Sequence, residues 1–263
     1  MKLLPLHALV AASLVLTPAL WAQDKPAAAP AATPQATPFP LPKQEPDVAA
    51  EKYSNKTGKP DAGFLAAHEK YVKIAKEGKG KLLFLGDSIT AGWAGRGKEV
   101  WAKSFSQWDP VNFGIGGDRT QHVLWRIENG ELDAAFKPKV CVLMIGTNNV
   151  GGDSAEAIAK GVTKIVDTIR AKTPDTKILL LAVFPRGEKA SPNPARQKLA
   201  EVNKIISKLN DGKHVFYMDI GEKFLQPDGT LSKDIMPDAL HPNDKGYQIW
   251  ADAITPKLTE LMK

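Results

Sequence analysis

Apolar positions along the chain come in two rhythms. Apolar runs at residues 82–85, 140–145, 178–183 and 215–218, with a shorter strand-like run at 111–113 interrupted only by Asn112, carry almost no polar alternation. Such runs suit strands buried on both faces, as in parallel sheets covered by helices. Elsewhere apolar residues recur every three or four positions, the helical period. Over residues 61–76 the stripe is Phe64, Leu65, His68, Tyr71, Val72 and Ala75, predicting an amphipathic helix in which His68 packs rather than binds a ligand. The same spacing predicts helices over 155–172 and 194–209, and a last one over 244–262. Strands alternating with helices predict parallel strands joined by crossovers, hence a three-layer α/β/α domain around a five-stranded parallel sheet. In the flavodoxin-like order 2-1-3-4-5, strand one lies at the switch point between strands two and three, where ligand sites gather.

The chain before this body reads differently. Residues 1–22 combine Lys2 with an apolar stretch that is too short and too Pro-interrupted to span a bilayer. They are read as a cleavable signal peptide ending near Ala22, which predicts a secreted or periplasmic protein without stable membrane insertion. Residues 23–46 are rich in Ala, Pro, Thr and Gln. They are read as a disordered linker, because such a composition buries little apolar surface. The folded body is then expected over residues 47–263.

Composition narrows the function classes. Of 263 residues, 43% are hydrophobic and 24% charged, ordinary for a globular chain. The net charge of +6 comes from dispersed lysines without an interleaved aromatic block, so no nucleic-acid partner is expected. The single cysteine, Cys141, lies inside an apolar run and reads as a buried packing residue. The five histidines are scattered, with no short-range pairing that suggests a metal.

Candidate chemistry sits at strand ends. The first apolar run stops at Gly86-Asp87-Ser88, where Ser88 is either a helix cap or a presented nucleophile. The second runs into Asn112-Phe113-Gly114-Ile115-Gly116-Gly117-Asp118, and the third into Gly146-Thr147-Asn148-Asn149. The glycine loop can be a tight turn, and Arg119 stands where a dinucleotide fingerprint needs glycine. Asn148 can likewise be a turn former. The 2-1-3 order would nevertheless set both loops beside Ser88, as an oxyanion-binding arrangement requires. Asp238-Ala239-Leu240-His241, just before the last helix, offers an imidazole base with a carboxylate three residues away to orient it. The second glycine of the G-x-S-x-G elbow is absent.

These blocks, in this order, resemble the SGNH or GDSL-type hydrolases. Within them the chain is similar to the catalytic subunits of the intracellular platelet-activating factor acetylhydrolase group and their bacterial relatives. The likeness runs from Phe84-Leu85-Gly86-Asp87-Ser88 through His122-Val123-Leu124-Trp125-Arg126, Asn129-Gly130-Glu131-Leu132 and Pro185-Arg186-Gly187 to Asp238 and His241. It implies a serine esterase with Ser88 as nucleophile, His241 as general base and acid, and Asp238 as orienting carboxylate. The implied oxyanion donors are the backbone N–H groups of Ser88 and Gly117 and the side-chain amide of Asn148. Ile89, Leu240 and Thr147 would bound a small acyl pocket, favouring acetyl esters. No metal or organic cofactor is implied. Ile89 departs from the Leu of the family motif, a conservative apolar change. The leader departs from the intracellular animal enzymes and leaves the substrate open. A carbohydrate O-acetylesterase and a lysophospholipase or lipase-type esterase are rival enzymes; a glycan-binding domain with a retained triad is a rival of another class. Trp125 is read either as core or as part of a homodimer contact.

Overall fold

A computed structural model of the chain describes Phe39 and residues 41–263. The leader read at residues 1–22 and most of the linker read at residues 23–46 lie outside the described residues. Five strands form one parallel sheet: β1 (Leu82–Gly86), β2 (Pro110–Gly114), β3 (Val140–Met144), β4 (Lys177–Leu181) and β5 (Val215–Met218). Their order is β2-β1-β3-β4-β5, the flavodoxin-like order. The helices are α1 (Ala62–Lys76), α2 (Ser88–Ala91), α3 (Lys98–Phe105), α4 (Thr120–Arg126), α5 (Ala155–Lys172), α6 (Pro194–Ile206) and α7 (Asp244–Leu261).

Successive strand residues point to opposite faces, and that alternation builds two cores. Leu83, Leu85, Cys141, Leu143, Ile178 and Leu180 pack with Val123, Ile158, Val162, Ile165, Leu199 and Val202 of α4, α5 and α6. Leu82, Phe84, Val140, Val142, Leu179 and Leu181 pack with Phe105, Trp250, Ile254 and Leu258 of α3 and α7. All five residues of β1 and of β3 are buried. Each such side chain contributes about 1.5–3 kcal/mol on burial, which fixes the central strands and the loops that leave them. Cys141 is completely buried at the middle of β3, and burial pushes its thiol pKa far up.

The helix starts follow local chemistry. Asp61, Ser154, Asn193 and Asn243 each accept a first-turn backbone N–H at α1, α5, α6 and α7, satisfying otherwise orphan donors. The short helices α3 and α4 are not delimited by the sequence pattern. In α4 the buried polar residues Gln121 and Arg126 interrupt the apolar stripe. On α1, Phe64, His68 and Ala75 of the predicted stripe are buried. Trp125 is half-buried, its ring centroid 5.6 Å from that of Phe64 and 4.8 Å from that of His68.

Residues 41–55 form a strap that lies on the body. Pro46 O accepts from Thr120 Oγ1 at 2.8 Å, and Gln121 O accepts from Ala50 N at 3.2 Å. Gly161 makes room for this course, since a Cβ there would stand 2.5 Å from Pro46 O. Gln44 Oε1 lies 3.0 Å from His122 Nε2, so contact with the body begins two residues before the boundary drawn at Pro46. Among the described residues, no helix is long and apolar enough to cross a membrane.

Candidate active site

The turn after β1 divides two roles between neighbours. Asp87 Oδ1 accepts the Ile89 N–H at 2.9 Å and caps α2. Ser88, the first residue of that helix, keeps its hydroxyl out of the capping. Gly86 is required here: a Cβ would stand 2.3 Å from Thr90 Oγ1 and 2.4 Å from Met144 O. Burial raises the Asp87 carboxyl to about 7, helped by the nearby Asp118 and opposed by the Ile89 N–H and Arg186.

Ser88 Oγ lies 2.9 Å from His241 Nε2, and His241 Nδ1 lies 2.7 Å from Asp238 Oδ2. The Asp238–His241 turn makes this possible. Ala239 adopts a left-handed φ of 55°, and Asp238 Oδ1 accepts the N–H groups of Leu240 at 3.1 Å and His241 at 2.7 Å. Burial works to raise the Asp238 pKa, but these N–H groups and the imidazole outweigh it and leave the carboxyl below its ordinary value. The carboxylate is therefore ionised and aimed at Nδ1, which sets Nε2 as the acceptor facing Ser88.

The glycine loop closes the other side. Asn112 ties the end of β2 to α2, its Oδ1 accepting Gly114 N at 2.9 Å and its Nδ2 donating to Thr90 O at 3.0 Å. Gly117 has a φ of 74°. Asn148 Nδ2 donates to Asp118 O at 2.8 Å, which docks the third loop against the second. One hydrogen of that amide remains for another acceptor. Asn149 accepts Thr120 N at 3.0 Å and donates to Gln121 Oε1 and Asp153 Oδ2.

Beneath the loop lies a charge cluster that sequence reasoning missed. Arg126, fully buried, donates from Nε to Asp118 Oδ2 at 2.9 Å, from Nη1 to Glu131 Oε2 at 2.5 Å, and from Nη2 to Gly86 O at 3.3 Å. His68 Nδ1 lies 3.0 Å from Glu131 Oε1. Burial opposes charge on the guanidinium, but Glu131 and Asp118 outweigh it, so Arg126 stays a cation. Its position among Val123, Leu124 and Ile127 was the available signal: a charge on an apolar stripe needs partners. Lys52, from the strap, donates to Gly116 O and stands 3.6 Å from Asp118 Oδ1.

Two hollows lie near the Ser88 turn, one of them at the serine. One, of about 390 Å³, is lined by Ser88, Ala91, Gly92, Gly95, Arg96, His241 and Tyr247. The other, of about 340 Å³, lies between strap and glycine loop, with Gln44, Lys52, Tyr53, Gly117, Arg119 and Asp153 on its walls. None of the three residues read as an acyl pocket lines either hollow. Ile89 is 1% exposed and belongs to the core beside Trp93. Thr147 is buried, its O and Oγ1 accepting from Arg186 Nη1. Leu240 is half-buried against the same core as Ile89.

The family model described as GDSL-like Lipase/Acylhydrolase family matches residues 84–249, which span β1 to α7 and every residue of the Ser88–His241–Asp238 line. The chain belongs to that family. It is a hydrolase of the GDSL type. Platelet-activating factor acetylhydrolase IB subunit alpha2 of Rattus norvegicus is 42% identical over 188 residues, covering 71% of this chain and 80% of that protein. Among solved structures, a GDSL-like lipase from Bacteroides thetaiotaomicron superposes with a TM-score of 0.60 at 19% identity, covering 73% of this chain and 97% of the other. A carbohydrate acetylesterase family member from Sinorhizobium meliloti does so with a TM-score of 0.54 at 18% identity, covering 69% and 98%. These two share the fold; the rat subunit also shares the sequence.

Proposed function

We propose that this GDSL hydrolase is an exported serine esterase that removes short acyl groups, acetyl first, from a small-molecule or glycan ester. The observation that carries the reading is the unbroken hydrogen-bonded line from Ser88 Oγ through His241 to Asp238, at 2.9 and 2.7 Å. Ser88 Oγ attacks the ester carbonyl carbon while His241 Nε2 takes its proton. The carbonyl π electrons move to oxygen, and the oxyanion is met by the N–H groups of Ser88 and Gly117 and the free hydrogen of Asn148 Nδ2. Collapse breaks the bond to the alcohol oxygen, which leaves with the proton from His241. Water, deprotonated by His241, then attacks the acyl-Ser88 carbonyl, and Ser88 leaves with that proton. Asp238 orients the ring and stabilises the imidazolium.

The acetyl preference is supported by the relative named as an acetylhydrolase. Export rests on the leader-like residues 1–22. A glycan ester is favoured by one further observation: the hollow beside Gly117 is walled by Gln44, Tyr53, Asn55, Arg119 and Asp153, side chains suited to hydroxyl-rich groups.

The test is hydrolysis of p-nitrophenyl acetate, butyrate and octanoate by wild type, Ser88→Ala and Asp238→Asn. Acetate should be turned over fastest. Ser88→Ala should lose essentially all turnover. Asp238→Asn should lose about 10³-fold in kcat, because an amide that donates to Nδ1 forces the proton onto Nε2. Undiminished activity of Ser88→Ala would remove the triad, and equal rates on acetate and octanoate would remove the short-acyl preference.

A further inference from the structure

The strap supplies a group to the oxyanion loop from outside the segment that the family shares. Lys52 donates from Nζ to the carbonyl oxygen of Gly116. That carbonyl belongs to the same trans peptide unit as the Gly117 N–H. In a planar trans peptide the C=O and N–H point in opposite directions, so holding one end aims the other. The flanking Gly116 and Gly117 carry no Cβ to fix the plane by packing, and Gly117 sits at positive φ, where glycine backbones turn readily. A Cβ on Gly117 would stand 3.0 Å from Lys52 Nζ, and one on Gly116 would stand 3.9 Å from Ser88 Cβ. Amine and serine therefore lie beside the same peptide unit.

The lysine is itself held. Its own carbonyl accepts Asp61 N at 2.8 Å. Its side chain is 18% exposed, with Asp118 Oδ1 3.6 Å from Nζ. That oxygen is buried and takes no hydrogen bond among the described residues, so the ammonium adds a second compensating charge to the carboxylate that Arg126 holds by its other oxygen.

We propose that Lys52 is a positioning residue for the oxyanion hole: it fixes the Gly116–Gly117 peptide with its N–H toward the reacting carbonyl. A charged donor on the carbonyl also draws electron density along the amide and strengthens the opposite N–H as a donor. The contribution grows as charge develops on the substrate oxygen, so it belongs to the transition state more than to the bound ester. This rests on the Ser88 reading given above.

The experiment measures kcat and KM for p-nitrophenyl acetate in Lys52→Met, Lys52→Gln and Lys52→Arg, with rates expressed per serine titrated by a fluorophosphonate. Affinity for an alkyl trifluoromethyl ketone is measured alongside, because its adduct with a serine hydroxyl carries the oxyanion. Lys52→Met should lower kcat about tenfold while KM moves less than twofold. Ketone affinity should fall by the same factor as kcat, and Lys52→Arg should recover most of both. Wild-type kcat and ketone affinity per titrated site in Lys52→Met, with Ser88→Ala inactive, would overturn the role of Lys52 and leave the triad standing. A loss that raises KM and leaves ketone affinity intact would also overturn it, as would a loss that Lys52→Arg does not recover. Full activity in Ser88→Ala would remove both readings together.

Discussion

Ser88 could be read from the sequence either as a helix cap or as a presented nucleophile, and the capping falls to its neighbour Asp87. The structure separates them by direction: one carboxyl turns back to Ile89 N, the other side chain faces His241. Because Asp87 is 1% exposed, its charge carries a cost that the pH reveals. Its folded pKa is about 7 against an ordinary 3.8, so between those values the folded chain holds a proton that the unfolded chain has lost. Stability from this group is therefore fully present below about 4 and is lost as the pH rises through about 7. Asp87→Asn keeps the Oδ1 acceptor and cannot ionise. Its unfolding free energy from urea titration, compared with wild type, should move in favour of the variant as pH rises across that window, by an amount on the order of 2–4 kcal/mol. A constant difference across the window would show that Asp87 does not titrate there.

At the scale of elements, the strands were legible because buried parallel strands leave apolar runs. Asp238, Leu240 and His241 were legible as one turn because they are neighbours in the chain. The pairing of Lys52 with Gly116 was not, since it spans 64 residues and depends on where the strap comes to rest. Helix α4 hid for a related reason: its buried face is partly ionic, and periodicity scores only apolar residues. Its arginine ties the end of β1 to Asp118 and Glu131, the two sides of the glycine loop and of the segment after α4. Replacing it strands two buried carboxylates, a loss typically worth about 3–5 kcal/mol. Arg126→Met should lower the unfolding free energy by that amount, read by denaturant titration. A change below about 1 kcal/mol would mean that the carboxylates find other partners. The acyl-pocket residues show the opposite limit. Ile89, Thr147 and Leu240 are adjacent in sequence to site residues, yet helical and turn geometry directs Ile89 and Thr147 into the interior.

The described body is a sheet covered on both faces, and the Ser88–His241–Asp238 line stands where β1, β2 and β3 end. The one thiol in the chain is sealed in with the sheet. Cys141 sits at the centre of β3, wholly covered and held protonated far above its ordinary pKa, whereas only an exposed thiolate attacks a disulfide reagent. The native protein should thus be silent to Ellman's reagent, and colour should develop only as molecules open. At saturating reagent the rate of colour would equal the rate of sheet opening. Fast labelling of the native protein would show that β3 is reached without unfolding. The chain carries its own clock, wound by the same burial that sets Ser88 in place at the end of the neighbouring strand.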